Sequence, residues 1–256
     1  MKKIIIKAGI VGSSGYTGGE LIRLLISHPF VDLKFALSKT KKNKKITDVF
    51  VDLTDETDIY FTDKIEKKID VLFLCSGHNK SKLFLEENHI DKSTRIIDLS
   101  QDFRNDNFFI KTKRKFIYGL PEINKSLIEK AYNIANPGCF ATAITLGLLP
   151  SVKNNIIDED IYTNAITGST GAGIIPQENT HYSWRNNNIS WYKPFEHQHL
   201  EEINNTLFIQ SKRKNNINLL TYRGPFTRGI YCNSYFKSNK SINEIIDLYK
   251  KFYEDT

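Results

Sequence analysis

Cysteine is scarce in this chain, and what there is does not pair off. Cys75, Cys139 and Cys232 are the only three, and no two stand in CxxC or CxxH spacing. An odd, scattered set argues against a disulfide framework and a structural zinc site. Long apolar runs are missing too. The start, Met1-Lys2-Lys3-Ile4-Ile5-Ile6, has the basic opening of a signal peptide, but Lys7 breaks it after three apolar residues. A signal-peptide core needs roughly seven or more. Residues 135–149 are rich in small and apolar side chains, yet Asn136-Pro137-Gly138 and two threonines disqualify them as a membrane span. The expectation is a soluble, cytoplasmic protein with no membrane partner.

The rest is ordinary globular material. The chain has 256 residues, 40% hydrophobic and 25% charged, with 16 Phe and 12 Tyr. That suffices for one large domain or two modest ones and is too apolar for disorder. The net charge of +7 fits either an anionic partner or a surface of solvated lysines. The basic runs at 39–45, 111–115 and 211–216 have no interleaved aromatics and no nucleic-acid motif. They read as solvated loops, with attraction to anionic small molecules as the remaining role and no nucleic-acid partner.

Short apolar runs alternate with helical patterns through the first half. Residues 4–11 read as a buried strand, and 19–27 as a helix with Leu21, Leu24 and Leu25 on one face, ended by His28-Pro29. Residues 31–37, 71–75 and 95–99 read as further strands, and 81–88 as a helix. Such alternation predicts a parallel sheet covered on both faces. The rhythm changes after Cys139. Residues 141–149 read as a helix and 161–167 as a strand, followed by a long Gly- and Asn-rich polar stretch. Residues 219–222 and 229–236 are strand candidates, and 242–253 form an amphipathic helical pattern. The chain is α/β in its first half and α+β in its second, joined near residue 138.

Gly12-Ser13-Ser14-Gly15-Tyr16-Thr17-Gly18 stands between the first strand and the first helix. Glycines there let the backbone turn sharply and approach a pyrophosphate, and the helix start offers free N–H groups. The candidate cofactor residues are Gly12, Ser14, Gly15, Tyr16, Thr17 and Gly18, with Ser76 after the strand at 71–75. The end of the second strand sets cofactor choice. It reads Leu37-Ser38-Lys39, with Lys41 and Lys42 following and no carboxylate before Asp48. An acid at this point would bind a ribose 2′-hydroxyl, whereas Ser38 and Lys39 suit a 2′-phosphate. Residues 1–138 therefore read as a Rossmann-type parallel-sheet domain for NADP(H).

Asn136-Pro137-Gly138-Cys139-Phe140-Ala141-Thr142 sets a cysteine after a Pro-Gly turn at a helix start, a place that favours the reactive thiolate. Cys75 and Cys232 lie in apolar strands and read as small core residues. A dinucleotide domain followed by a nucleophilic thiol points to oxidoreduction through a thioester.

With these motifs in hand, the chain resembles the N-acetyl-gamma-glutamyl-phosphate reductases of arginine biosynthesis, from Ile6 to about Ile230. The likeness rests on Gly15-Tyr16-Thr17-Gly18-Gly19-Glu20-Leu21, Asp98-Leu99-Ser100-Gln101-Asp102-Phe103-Arg104, Tyr118-Gly119-Leu120-Pro121-Glu122 and residues 136–142. It continues in Thr167-Gly168-Ser169-Thr170-Gly171-Ala172-Gly173, His197-Gln198-His199-Leu200-Glu201-Glu202-Ile203 and Arg223-Gly224-Pro225-Phe226-Thr227-Arg228-Gly229. Each motif is common alone; the seven in order are specific.

The resemblance implies NADPH-dependent reduction of an acyl phosphate to N-acetylglutamate semialdehyde with release of phosphate. It makes Cys139 the nucleophile, His199 the proton carrier and Glu202 the group that orients His199 across a helical turn. Gly171, Ala172 and Gly173 would approach the nicotinamide or the reacting oxygen, with Thr170 where the family usually has serine. Arg104, Ser100, Asn136 and Arg228 are the substrate and phosphate candidates, with an ion pair to Asp102 as the competing role for Arg104. His197 and His199 two apart on a helix diverge and lack a third ligand, so no metal is expected. The second domain, 139–256, becomes the catalytic and dimerisation domain of a homo-oligomer, a dimer or tetramer. Family members continue beyond the point where this chain ends. The expectation is a shortened copy with apolar surface uncovered, weakly active or inactive.

Other readings compete. The same chemistry on a carrier-bound aminoadipyl phosphate shares many of the motifs, and pocket shape would separate the two. Aspartate semialdehyde dehydrogenases lack the Asn-Pro-Gly-Cys-Phe-Ala-Thr pattern. Short-chain dehydrogenases need a Tyr-x-x-x-Lys pair, and Tyr60 to Lys64 falls too early for one. A decayed, non-catalytic member is the reading from a different class.

Overall fold

The computed structural model describes residues 4–105 and 114–254. Residues 1–3 of the basic start and 111–113 of the second basic run lie outside them. The chain divides into two compact units, Met1–Pro137 and Gly138–Thr256.

The first unit is a seven-stranded sheet with every neighbouring pair parallel. Its elements are β1 (Ile6–Val11), α1 (Tyr16–Ile26), β2 (Val31–Leu37), β3 (Phe61–Thr62), β4 (Val71–Leu74), α2 (Lys80–Glu87), β5 (Arg95–Asp98), β6 (Ile117–Tyr118), α3 (Pro121–Lys130) and β7 (Asn133–Ala135). The strand order is β3-β2-β1-β4-β5-β7-β6. The winding reverses at β1, so the loops after β1 and β4 lie side by side, the place where doubly wound sheets bind ligands. Both faces carry apolar clusters. Ala8, Ile10, Ile22, Leu25 and Phe61 belong to one, and Val11, Leu72, Leu74, Leu85 and Ile96 to the other. Gly9 is required by packing, because a Cβ there would stand 2.4 Å from the Phe35 ring.

Helix α1 corrects the sequence reading. Its buried residues are Gly18, Gly19, Ile22 and Leu25, whereas Leu24 is 69% exposed. Leu25 and the partly buried Leu21 pack against the core as expected, together with Ile22, and only Leu24 of the expected set turns outward.

The second unit contains α4 (Cys139–Lys153), β8 (Ile161–Thr167), α5 (Tyr182–Arg185), β9 (Ser190–Tyr192), α6 (His199–Ser211), β10 (Ile217–Arg223), β11 (Ile230–Tyr235) and α7 (Ile242–Tyr253). Its mixed sheet runs β11-β8-β10-β9, with β8 and β10 parallel. Burial alternates along β8 and β10. Ile161, Ala165, Ile217 and Leu219 pack into one core with Ile144 and Leu148 of α4 and Ile203 and Leu207 of α6. The opposite face stays open and carries Tyr162 stacked on Tyr235 at 5.4 Å, as expected for a half-buried sheet.

Helix α4 runs past Leu149, where the sequence reading stopped, through Pro150. Proline lacks the N–H that would bond to the carbonyl four residues back. That carbonyl, on Leu146, accepts instead from the Tyr253 hydroxyl at 2.5 Å, and the Tyr249 hydroxyl donates to the Gly147 carbonyl at 2.7 Å. Two tyrosines of α7 thus satisfy the acceptors around the proline. No helix among the described residues is long and apolar enough to cross a membrane.

Leu148 is fully buried between the sheet and its helices. Leu148→Ala should lower unfolding stability by about 2–5 kcal/mol, as buried leucine truncations do. A urea titration followed by circular dichroism measures the loss.

Candidate active site

The glycine loop is held by steric necessity. Gly12 has φ 78°, and a Cβ there would lie 2.6 Å from the backbone of Cys75 and Ser76. At Gly18 a Cβ would lie 2.6 Å from the Ser13 Cα. Gly15 has room to spare, since a Cβ there would come no closer than 3.8 Å to the Gly12 carbonyl. It begins α1 with no side-chain cap and no acidic residue in the first turn. The positive end of the helix is therefore unneutralised beneath Tyr16 and Thr17, which are exposed. Beneath the loop the Ser13 hydroxyl is buried without a hydrogen-bond partner. A cradle too tight for a Cβ, an open position at Gly15 and an uncapped helix start fit a dinucleotide pyrophosphate.

Ser14 and Ser38 join hydroxyls at 2.7 Å, which ties the loop to the end of β2. Ser38 stands where an acid would read a ribose, and Lys39 beside it is exposed. Lys42, one of the lysines read as phosphate ligands, is instead paired with Asp63 at 2.6 Å.

In the second unit Cys139 is the first residue of α4 and is exposed, while Gly138 and Phe140 on either side are buried. This helix too has no side-chain cap and no acid in its first turn. The Gly138 N–H donates to Glu202 Oε1 at 2.8 Å. Glu202, read from the sequence as the partner of His199, thus places one oxygen on the turn that presents the thiol.

His199 opens α6, and its N–H donates to His197 Nδ1 at 3.1 Å. The two imidazoles meet edge to face at 4.8 Å, and Phe140 packs on His197 at 4.9 Å. Both histidines are buried. Burial first, and then the charge of His199, pushes His197 down to about 4. It is neutral near pH 7, and since Nδ1 accepts, its proton sits on Nε2. Tyr192 lies on the other side of His197, rings 5.9 Å apart, and burial pushes its phenol up to about 12, with the charge of Cys139 adding to the rise. Cys139, His199 and Glu202 therefore converge through Phe140, His197 and Gly138.

The remaining candidates fall elsewhere. Ser100 is buried, with its hydroxyl donating to Asp98 at 2.7 Å and accepting the Asp102 N–H at 3.0 Å. This places it in the structure of the first unit rather than in a phosphate site. Asp102 accepts the Asn79 and Lys82 N–H groups at 2.6 and 3.0 Å, capping α2 from outside. The expected competing role, an Arg104–Asp102 pair, gives way to this cap. Arg104 donates through Nε to the Asn136 carbonyl at 2.9 Å and through Nη2 to the Leu99 carbonyl at 3.1 Å. It braces the turn before Cys139. Asn136 is exposed, and its N–H donates to the Asp98 carbonyl at 2.7 Å.

The second glycine loop is laced to the segment after β10. The Ser169 and Thr170 N–H groups donate to the Phe226 and Thr227 carbonyls at 2.9 and 3.2 Å, and the Thr170 hydroxyl donates to Thr227 at 2.8 Å. Gly171 and Gly173 are exposed, Ala172 is half-buried, and Arg228 is exposed. Cys75 and Cys232 are half-buried, and burial pushes the Cys75 thiol up to about 12, so neither rivals Cys139.

Sequence reasoning missed Tyr192, Arg185 and Arg223. Arg223 stacks on the Tyr192 ring at 4.7 Å. Its signal was its parity: Ile217, Leu219, Thr221 and Arg223 share the buried face of one strand.

The depressed His197 ties folding to pH. The unfolded imidazole takes a proton near pH 6.5 and the folded one near 4, so stability is full above 6.5 and falls as pH drops toward 4. His197→Asn, which keeps an acceptor for the His199 N–H, should flatten that part of the curve. Urea midpoints at pH 7 and pH 5 for both proteins measure the difference.

Comparison with known proteins agrees with this arrangement. Residues 7–131 match the family model described as semialdehyde dehydrogenase, NAD binding domain, and residues 139–256 match semialdehyde dehydrogenase, dimerisation domain. The N-acetyl-gamma-glutamyl-phosphate reductase of Azobacteroides pseudotrichonymphae is 49% identical over 98% of this chain and 77% of its own length. That of Christiangramia forsetii is 47% identical with the same coverage. The solved aspartate semialdehyde dehydrogenase with NADP from Candida albicans has the same fold, with a TM-score of 0.65 at 15% identity over 98% of this chain and 76% of that one. With relatives this similar along nearly all its residues, the chain belongs to the N-acetyl-gamma-glutamyl-phosphate reductase family of the semialdehyde dehydrogenases.

Proposed function

We infer that this protein reduces N-acetyl-gamma-glutamyl phosphate to N-acetylglutamate semialdehyde and releases inorganic phosphate. The observation that carries the reading is the exposed Cys139 at the uncapped start of α4, with Glu202 on the Gly138 N–H and His199 against the ring of the next residue, Phe140, at 6.3 Å. NADPH, when bound, supplies the hydride.

The Cys139 thiolate attacks the acyl carbon, the C–O bond to phosphate breaks, and phosphate leaves with the electron pair. The resulting thioester accepts hydride far more readily than a carboxylate does. After hydride transfer His199 gives the oxygen a proton, forming the thiohemiacetal, and takes that proton back as the C–S bond breaks to release aldehyde and thiolate. His197 stays neutral beside it and fixes the His199 backbone through Nδ1. Glu202 keeps the Gly138 turn, and so the thiol, in one position. Gly12, Ser14, Gly15, Tyr16, Thr17, Gly18 and Ser76 would hold the pyrophosphate, Ser38 and Lys39 the 2′-phosphate, and Gly171, Ala172 and Gly173 the nicotinamide end. The dimerisation-domain match and the open face of the second sheet support a homo-oligomer. The reading places the protein in the cytoplasm.

The test runs the reaction backward, from the semialdehyde, phosphate and NADP, and follows NADPH. Wild-type turnover that Cys139→Ser abolishes supports the reading, and turnover surviving in the variant overturns the thioester route. Cofactor choice has its own test. Ser38→Asp should lower the preference for NADP over NAD by about tenfold or more, read as the ratio of kcat/KM values, because a carboxylate repels the 2′-phosphate and suits the 2′-hydroxyl.

A further inference from the structure

Two arginines of the second unit are buried, and among the described residues no carboxylate is paired with either. Arg185 is 6% exposed and Arg223 is 9% exposed. The hydrogen bonds they make go to neutral groups. Arg185 donates to the carbonyls of Asn188, at 3.2 Å, and Arg223, and to the Ser190 hydroxyl at 2.7 Å. Arg223 donates to Asn179 Oδ1 at 3.3 Å. The Nε of each is buried without a partner. Burial, and then the charge of Arg223, pulls Arg185 below its ordinary range. A guanidinium does not escape burial by losing its proton, so two such cations leave the site short of negative charge.

The two play different parts. Arg185 is fixed by three bonds between the segment before β9 and the end of β10. Arg223 is held by the long bond to Asn179 and by Tyr192, which it hydrogen-bonds and whose ring centre lies 4.7 Å away. Tyr192 in turn contacts His197, which packs on His199 and Phe140. The guanidinium is therefore one aromatic ring removed from the histidine pair.

We propose that Arg223, backed by Arg185, holds the non-reacting carboxylate of the substrate and so determines specificity. The proposal rests on the reaction inferred above. That substrate carries two anionic groups. The phosphate is attached to the carbon that Cys139 attacks, and the carboxylate is at the other end of the five-carbon skeleton, with three carbons between. A cation set back from the histidines by a ring matches the second. An arginine fork binds either oxyanion, so the test must separate them.

The reverse reaction does so, because aldehyde and phosphate are then separate substrates and only the aldehyde carries the carboxylate. Arg223→Gln should raise KM for the semialdehyde by about 30-fold or more, the usual scale for removing one partner of a buried charge pair. KM for phosphate should not change. A binding readout accompanies the kinetics. Trp184 and Trp191 are the chain's two tryptophans, adjacent in sequence to Arg185 and Tyr192. N-acetylglutamate should change their fluorescence in the wild type and fail to do so at the same concentration in Arg223→Gln. If Arg223→Gln does not fold by circular dichroism, Arg223→Lys keeps the charge without the fork and should show the same split in KM at about fivefold. A rise in KM for phosphate instead overturns the proposal in favour of a phosphate site. No change in either KM, with unchanged fluorescence binding, reduces Arg223 to a structural cation. Fluorescence binding that depends on Arg223 in a protein that does not turn over the semialdehyde overturns the inferred reaction and leaves the carboxylate site standing.

Discussion

Both reactive places in this chain depend on a helix that starts at a glycine and is left uncapped. α1 begins at Gly15 and α4 at Gly138, neither has a capping side chain, and neither has an acid in its first turn. Most helices satisfy their first N–H groups with Ser, Thr, Asp or Asn. Omitting the cap costs stability, and what remains is a positive helix end facing outward. At α1 that end suits a pyrophosphate; at α4 it lies at Cys139, the first residue of the helix. The contrast with α2 is instructive. Its start is closed by the Asp102 carboxylate, and no reactive group is placed there.

An uncapped turn must still be held in place. At Gly12 and Gly18 the holding is steric, since nothing larger than hydrogen fits against the Cys75–Ser76 and Ser13 backbones. Around Cys139 it is electrostatic. Glu202 bonds the Gly138 N–H, and three residues along the same helix His199 presents its ring. A one-turn spacing on α6 thereby couples the position of the nucleophile to the position of the proton carrier. Arg104 braces the turn from the other direction through the Asn136 carbonyl.

Much of the fold was legible because periodicity reports burial. The runs at 31–37, 161–167 and 242–253 agree with β2, β8 and α7 to the residue. What was not legible is short or depends on partners distant in sequence. β3, β6 and β7 have two or three residues each, too few for a pattern, and exist because neighbouring strands of the sheet offer them pairing partners. The extension of α4 through Pro150 depends on Tyr249 and Tyr253, about a hundred positions away. The site divides the same way. Cys139 and the glycine loop were readable from local motifs, which need only a strand before and a helix after. For Ser100 and Arg104 the motif did not show the bonds each makes within the protein, because a hydroxyl and a guanidinium look the same in a motif whatever they face. Those bonds go to Asp98 and the Asp102 N–H for Ser100, and to the Leu99 and Asn136 carbonyls for Arg104.

The buried polar residues of the second unit sort by what burial does to their charge. His197 yields to burial and is neutral, so it can fix His199 without repelling a thiolate's counter-proton. Tyr192 is held protonated for the same reason. Arg185 and Arg223 keep their charge, because no accessible pH removes a guanidinium proton. The second unit therefore sets a neutral His197 against His199 and a permanent cation, Arg223, behind the Tyr192 ring. In the proposed reaction such a layering would separate proton movement from anion recognition. A titratable cation in place of arginine would lose its charge on burial and with it any hold on an anion. A permanent cation in place of His197 would draw the anion toward the thiolate it is meant to be kept apart from. Each residue type is suited to its layer by how its charge responds to the same low-dielectric surroundings.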